Sequence, residues 1–135
     1  MKKNKIITLC GALAIAGIIT LISCTTDDGV MSKSKGVYTV NTTTLSQEVK
    51  GYNGTTPLTI TIKDDKVVKV EALENTETPR FFEHLKKNGL LDAWNGMTVD
   101  DALNAKVDAV AGATFSSNAV IENVRLGLNY YKEHK

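Results

Sequence analysis

Cysteine is nearly absent from this 135-residue sequence, and its two cysteines, Cys10 and Cys24, both lie near the N-terminus. The rest of the chain therefore has no residue for a disulfide, a thiolate nucleophile, a cysteine-ligated zinc ion or an iron–sulfur cluster. If the protein is exported, its folded part must be stabilised by the hydrophobic core alone.

A strong net charge is also missing. The chain has 16 basic and 15 acidic residues, a formal net charge of +1. Without Lys2, Lys3 and Lys5, which lie in a segment that we expect to be removed, 13 basic residues remain and the net charge is −2. No basic patch indicates nucleic-acid binding. With 42% hydrophobic and 23% charged residues, the composition is that of a folded chain, and the length favours one domain.

The N-terminal segment is typical of a bacterial export signal. Its basic start is followed by residues 6–22, an apolar run without a charge that is short for a membrane-spanning helix. The run ends in Leu21-Ile22-Ser23-Cys24, which resembles the lipobox of bacterial lipoproteins, whose cysteine takes a diacylglyceryl group and becomes the mature N-terminus. The alternative is an uncleaved N-terminal anchor. Both interpretations place the domain at a membrane, outside the cytoplasm.

The residues after Cys24 are mainly polar up to Lys35 and have little apolar surface to bury, which predicts a flexible tether. We therefore divide the chain into a signal peptide (1–23), a tether with a lipidated Cys24 (24–35) and a single folded domain (36–135).

The first half of the domain has the pattern of an antiparallel sheet. Residues 37–44 are rich in strand-forming Val, Tyr and Thr, and Asn53-Gly54 is a strong turn signal. Alternation over 57–63 and 66–73 predicts a hairpin with one buried and one solvated face. On the second strand of this hairpin, we expect Val68, Val70 and Ala72 to lie on the same face.

The second half of the domain has helical periodicity. Pro79 is well placed at the first turn of a helix that ends near Asn88-Gly89, and Thr98 is a good cap for a further helical turn. Apolar residues that recur at every turn predict a final amphipathic helix from about Ser117 to Tyr131. The predicted fold class is α+β, an antiparallel β-sheet packed against a few helices with a long C-terminal amphipathic helix.

A run of small and hydroxyl-bearing residues, Asp108 to Ser117, leads into this last helix. Gly112 permits a sharp bend or a close neighbour, and Thr114, Ser116 and Ser117 supply three hydroxyls. Free amides and the helix dipole favour a phosphate at such a position. The alternative is an ordinary helix cap after a glycine turn, which is the commoner case on local evidence alone. No GxGxxG or GxxxxGK motif supports a dinucleotide site or a P-loop.

Four segments, taken in order, resemble the FMN-binding domain family. They are Gly51-Tyr52-Asn53-Gly54, the hairpin that follows it, Glu77-Thr78-Pro79, and Asp108-Ala109-Val110-Ala111-Gly112-Ala113-Thr114 before the last helix. This family occurs in the periplasmic flavoprotein subunits of the Rnf and sodium-pumping NADH:quinone oxidoreductase complexes and in membrane-anchored lipoproteins. Ser116-Ser117 and Ala111 depart from the residues that are frequent in the family.

The resemblance implies that a dedicated flavin transferase uses FAD to attach FMN to Thr114 through a phosphoester bond. Asp108 matches the acid that opens the transferase recognition sequence, and Glu77, Thr78 and Pro79 match a motif near the flavin. On local grounds the same three residues equally suit a strand-to-helix connector. The predicted cofactor-binding residues are Thr114, Ala113, Gly112, Ala111, Ser116, Ser117, Asp108, Glu77, Thr78 and Pro79.

The sequence thus favours an extracytoplasmic, membrane-anchored FMN carrier for electron transfer rather than a stand-alone enzyme. No catalytic pair and no metal site is expected, and His84, His134 and Trp94 are assigned to the surface or to packing. The expected partners are the membrane through Cys24, the flavin transferase, and redox partner proteins or a membrane oxidoreductase complex. The alternative is a lipoprotein that binds FMN without a covalent bond or serves as a structural or binding module.

Overall fold

A computed structural model describes residues 26–135 of the chain, so the predicted signal peptide and Cys24 lie outside the described residues. Five strands form one antiparallel sheet in which neighbours in the sequence are neighbours in space. The strands are β1 (Thr26–Asp27), β2 (Met31–Ser34), β3 (Val37–Asn41), β4 (Leu58–Lys63) and β5 (Lys66–Ala72).

Strand β2 lies in the segment that the sequence assigned to the tether. Met31 is buried, and all four residues of β2 pair with β3 across a turn at Lys35 and Gly36, both of which have positive φ. Two consecutive residues with positive φ match the right-handed twist of a tight hairpin. The expectation of a flexible tether up to Lys35 is therefore wrong for these residues, because the polar composition concealed a strand near the sheet edge with one buried side chain.

Three helices follow the sheet, with a short 3-10 turn (Leu90–Asp92) after the first of them. They are α1 (Pro79–Lys87), α2 (Val99–Asn104) and α3 (Thr114–His134). The Oγ1 atom of Thr98 accepts a hydrogen bond from the N–H of Asp101 at 3.1 Å, so the predicted cap of α2 is present. Sheet, helices and the long C-terminal helix together confirm the predicted α+β class.

The helices cover one face of the sheet, and the core lies between them. Along β4, buried residues alternate with partly exposed ones, as expected for a sheet covered on one side. Helix α3 packs across β3 and β4, where Gly127 permits close approach because an added Cβ would lie 2.6 Å from Cδ1 of Ile60. Trp94 is buried in the same core, which confirms its assignment to packing.

The register of the hairpin formed by β4 and β5 differs from the simple alternation that the sequence predicts. Ile60 pairs with Val70, but Ile62 pairs with Val67, so a β-bulge lies between them. The bulge turns Val68 outward, where it is 47% exposed, while Val67 takes the buried position. The prediction that Val68 shares the buried face of Val70 is therefore wrong.

A buried polar cluster fixes α3 against the loop that follows β3. The side chain of Asn123 accepts a hydrogen bond from Oγ1 of Thr42 at 2.5 Å and donates one to Oγ1 of Thr56 at 3.3 Å. Thr42 in turn accepts the backbone N–H of Leu58 at 2.9 Å. Because buried polar groups that are all paired rigidify their surroundings, this cluster orients the segment of residues 43–56 relative to α3.

Candidate functional site

Three segments that are distant in the sequence meet at the N-terminus of α3. They are the turn Gly51–Gly54, the connector Glu77–Pro79 that leads into α1, and the first turn of α3 from Thr114. These are the segments that carry the sequence motifs, so the fold brings the predicted site residues of the connector and of the helix start into one region.

The carboxylate of Glu77 joins the three segments. It is only 4% exposed, and it accepts hydrogen bonds from the backbone N–H groups of Tyr52 at 2.9 Å and of Asn53 at 2.5 Å. The hydroxyl of Ser116, in the first turn of α3, donates a third hydrogen bond to Oε1 of the same carboxylate. Because protein donors engage both oxygens, Glu77 has the geometry of a residue that positions the loop and the helix.

Gly51 is required by the close approach of this carboxylate. A Cβ added at Gly51 would lie 2.1 Å from Oε1 of Glu77 and 3.2 Å from the Cα of Ser116. The first of these separations is far shorter than any van der Waals contact. A larger residue would displace the carboxylate and, through it, the turn that carries Tyr52.

Thr78 and Pro79 orient α1. Thr78 has an extended backbone (φ −62°, ψ 118°) and Pro79 is the first helical residue, both as predicted from the sequence. The side chain of Thr78 makes no cap hydrogen bond, and its carbonyl accepts the N–H of Phe81 at 3.0 Å. The two residues therefore set the direction of a helix whose Phe81 faces the site.

Helix α3 begins at Thr114, three residues before the predicted start. Gly112 has a φ of +88°, a left-handed conformation that glycine adopts without strain, and the backbone reverses there. The carbonyl of Ala113, a buried residue, then accepts the N–H of Ser117 at 2.9 Å, which is the first helical hydrogen bond. Ala113 occupies the N-cap position without a side-chain cap.

The three predicted hydroxyls therefore have different roles, and none of them caps α3. Ser116 is buried against Glu77, and Oγ of the fully buried Ser117 accepts the N–H of Val110 at 3.0 Å, which holds the preceding loop. Thr114 is exposed at the first helical position. The alternative interpretation, in which these hydroxyls cap the helix, is therefore wrong, because all three lie inside the first turn rather than before it.

The first amides of α3 are available to a ligand. Within residues 26–135, no backbone or side-chain oxygen accepts a hydrogen bond from the N–H groups of Thr114, Phe115 or Ser116. Unpaired N–H groups at the positive end of a 21-residue helix form a site for an anion such as a phosphate. The exposed hydroxyl of Thr114 lies at this anion site.

The loop before α3 is held by a histidine that the sequence assigned to the surface. Nε2 of His84 donates a hydrogen bond to the carbonyl of the exposed Ala111 at 2.9 Å, and the ring lies against Gly112. His84 therefore fixes the segment that turns into the helix. Asp108, at the start of the same segment, is exposed and does not line the surface hollow beside Thr114.

An aromatic hollow of about 210 Å³ opens beside Thr114. Its walls include Tyr52, Phe81 and Phe115, with ring centroids 5.0 Å apart for Tyr52 and Phe81 and 6.5 Å apart for Tyr52 and Phe115. Tyr52 is 60% exposed and Phe115 is 66% exposed, so two large rings face solvent at one place. Exposed rings that cluster in this way mark a binding surface.

The residues present fit the cofactor that the sequence resemblance implies. A flavin mononucleotide needs an anion site for its phosphate and an apolar surface for its planar ring. The free amides at Thr114 provide the first, and the rings of Tyr52, Phe81 and Phe115 line the adjoining hollow and provide the second. The sequence motifs did not predict a role for these rings, although Phe115 lies off the apolar stripe of α3 and could have been noticed for that reason.

Residues 26–135 contain neither a metal-binding cluster nor a helix that could span a membrane. No group of three or more His, Cys, Asp or Glu side chains lies close enough together there to hold a metal ion. Over the same residues, no helix combines the length and the apolar character that a membrane span requires.

The fold and the site define a small α+β domain that can hold a phosphate-bearing aromatic cofactor at a helix N-terminus. Residues 51–129 match the family model of the FMN-binding domain, which is more than half of the chain. The chain belongs to the FMN-binding domain family, and its cofactor is FMN. The matched range contains every predicted cofactor-binding residue.

One curated relative is a subunit of the ion-translocating oxidoreductase complex of Shewanella piezotolerans (strain WP3 / JCM 13877). The two sequences are 30% identical over 97 residues, which is 63% of this chain and 46% of the relative. The chain therefore spans less than half the length of that relative. No solved structure matches the chain.

Proposed function

We propose that this protein is an extracytoplasmic, membrane-anchored carrier of electrons that holds FMN through a phosphoester bond to Thr114. The observation that carries the proposal is the exposed Thr114, which lines the aromatic hollow at the end of α3 where the first three amides have no partner within residues 26–135. FMN, when bound, supplies reversible transfer of one or two electrons.

The position of Thr114 supports this attachment. In the reaction, the threonine oxygen forms a bond to the phosphorus of the FMN half of FAD, the bond from that phosphorus to the AMP oxygen breaks, and AMP leaves with the hydroxyl proton. The unpaired amides of α3 stabilise the negative charge on the phosphate oxygens. An external flavin transferase supplies the catalytic groups, and Asp108, exposed six residues before the acceptor, is available for recognition.

The remaining site residues position the attached group and shield it. Phe115, Tyr52 and Phe81 offer apolar faces against which a planar ring can pack out of water. Glu77 and His84 do not line the hollow, and they hold the turn of residues 51–54 and the loop before α3 in place. The chain thus binds and orients its cofactor on rigid elements.

We propose a membrane oxidoreductase complex as the setting in which this carrier works. The support is the similarity to a subunit of an ion-translocating oxidoreductase complex, which extends over 97 residues.

The membrane anchor is proposed from the lipobox at Cys24, which lies outside the described residues. In a Cys24→Ala variant, both the lipid and a mature N-terminus at residue 24 should be missing, whereas the wild type should have both. Mass spectrometry of the mature N-terminal peptide tests the same point. An unmodified cysteine in the membrane-purified protein would contradict lipidation.

The covalent bond is tested by producing the chain together with a flavin transferase and examining denaturing gels under ultraviolet light. The wild type should give a fluorescent band and an intact mass that exceeds that of the polypeptide by FMN less one water. Thr114→Ala should abolish both signals, and Thr44→Ala, which removes an exposed hydroxyl in a distant turn, should abolish neither. Equal fluorescence in the wild type and Thr114→Ala would show that Thr114 is not the acceptor. Flavin that is released on denaturation would favour the non-covalent alternative.

A further inference from the structure

The outer face of α1 is basic and lies next to the aromatic hollow. Arg80, His84 and Lys87 follow one another at i, i+4 and i+7, so they share one side of the helix. Together with Phe81 and Gly112 they line a surface cleft of about 450 Å³. Phe81 and Gly112 also line the aromatic hollow, so the cleft and the hollow adjoin.

Most of the positive charge at this cleft is not neutralised. Glu83 also lines it, but Nζ of Lys86 lies 3.0 Å from Oε1 of Glu83, so that charge is compensated by its neighbour. Arg80 and Lys87 form no ion pair with any residue in the described range 26–135, and the guanidinium of Arg80 lies over the ring of Phe81, 5.5 Å from its centroid.

This local charge is opposite in sign to that of the domain. Residues 26–135 have 13 basic and 15 acidic residues, a net charge of −2, yet the rim of the cofactor site carries two uncompensated cations. Tyr52 is the only ionisable residue that lines the adjoining hollow within residues 26–135. The hollow therefore has no carboxylate that could neutralise the positive charge of Arg80 and Lys87. An approaching molecule therefore meets a positive field beside two exposed rings.

We propose that the basic face of α1, beside the aromatic hollow, forms the docking surface for an electron-transfer partner whose contact surface is acidic. This inference rests on the proposed function, because it assumes a flavin at the hollow. Transient redox complexes bury small interfaces, and complementary charge guides their encounter more than it adds to affinity.

The first experiment uses small oxidants of opposite charge, ferricyanide and hexaammineruthenium(III). The flavinylated protein is first photoreduced with EDTA, a sacrificial amine that supplies the electrons. Each reduced flavin gives two electrons to two ions of the oxidant and releases two protons to the buffer, and stopped-flow absorbance follows the oxidation. The test variant is Arg80→Glu/Lys87→Glu. The control is Lys63→Glu/Lys66→Glu, which changes the charge equally at two exposed residues.

The control residues lie at the other end of the domain. They flank Asp65, whose carboxylate accepts the hydroxyl hydrogen bond of Tyr131 at 2.5 Å. Tyr131 is 17 residues along α3 from Thr114, which corresponds to about 25 Å at 1.5 Å per residue. That distance exceeds the Debye length of about 10 Å at 0.1 M salt, so the control charges act weakly on the site.

At about 0.1 M salt the test variant should be oxidised about fivefold or more slowly by ferricyanide and faster by hexaammineruthenium(III), given the screened Coulomb energy between the altered side chains and the oxidant at about 10 Å. Both differences should shrink at high salt, the control should stay close to the wild type, and the midpoint potential of the flavin should not change. Reduction by plant-type ferredoxin, a protein with an acidic surface, should slow in the test variant alone. If the double variant does not fold, Lys87→Glu is used with Lys63→Glu as its control.

Equal rates in the test variant and the control would overturn the docking surface. A shift of the midpoint potential, with both oxidants affected in the same direction, would also overturn it, because the basic side chains would then act on the charge of the flavin itself. Unchanged ferredoxin kinetics would exclude an acidic protein as the partner. Intact mass, measured first, separates these results from a failure of the proposed function, in which the wild type would carry no flavin.

Discussion

Replacing Glu77 by glutamine should both destabilise the domain and reduce flavin attachment. The carboxylate accepts three hydrogen bonds, from the N–H groups of Tyr52 and Asn53 and from the hydroxyl of Ser116. Glutamine has nearly the same size but replaces one oxygen by an NH₂ group, so at least one donor loses its acceptor and meets another donor. A hydrogen bond to a charged group contributes about 1.5–3 kcal/mol, and an unpaired buried donor costs about 1–3 kcal/mol.

From these contributions we expect the free energy of unfolding to fall by roughly 2–4 kcal/mol in Glu77→Gln. For a domain of this size, 1 kcal/mol corresponds to a change in Tm of about 4–8 °C, so Tm should fall by about 10 °C or more. Thermal unfolding followed by circular dichroism measures this change. The yield of covalent flavin, measured well below the new Tm, should fall as well, because the turn carrying Tyr52 is no longer held against α3.

The matched control is Glu83→Gln, which makes the same chemical change on the exposed face of α1. Glu83 pairs with Lys86 in solvent, and such an exposed pair contributes about 0–1 kcal/mol. Its Tm and flavin yield should therefore stay near those of the wild type. If Glu77→Gln unfolds at the same temperature as Glu83→Gln, the buried carboxylate does not hold the three segments together.

Two further predictions concern Phe115 and Asp28. Phe115→Ala should change stability by less than about 0.5 kcal/mol because the ring is exposed, yet it should raise the fluorescence of the attached flavin by removing a stacking neighbour; an unchanged emission yield would place the flavin ring elsewhere. Hydrogen bonds from the N–H of Met31, the hydroxyl of Tyr130 and the N–H of Val30 lower the pKa of Asp28 to about 2. Since the folded-state pKa lies below the unfolded value near 3.9, this stabilisation is complete above about pH 4 and is lost as the pH falls through about 2. The Tm of Asp28→Asn should therefore be lower than that of the wild type at about pH 6, and the difference should shrink as the pH falls from about 4 through 2; a constant difference would contradict the assignment.

The types of most elements could be predicted from local patterns in the sequence. Alternation over 57–63 and 66–73 corresponds to β4 and β5, Pro79 begins α1, and Thr98 caps α2. The errors have local causes as well. Strand β2 has a polar composition because it lies near the edge of the sheet. The β-bulge next to Val68 cannot be recognised from a two-residue alternation of apolar and polar residues.

The chemical identity of the site could also be predicted in large part from the sequence. The motif that ends in Thr114 and the segment Glu77–Pro79 indicated FMN, and the family match over residues 51–129 confirms the family and the cofactor. The covalent bond and the lipid anchor at Cys24 stay predictions. Both modifications are carried out by other proteins, and a sequence motif indicates a modification site without showing that the modification takes place.

By itself, the sequence determined which short segments carry chemistry, because a motif such as Asp108–Thr114 is written in consecutive residues. Only the tertiary structure decided what each of those residues does. Glu77 holds Tyr52 and Ser116, which are 25 and 39 residues away, and the hollow is formed by rings from three different segments. Such contacts depend on how the sheet and α3 pack, and periodicity along the chain records which face of an element is buried but not which distant residue it meets. For that reason Thr114 could be proposed as the acceptor from the sequence, while the residues that hold and surround it could not be predicted.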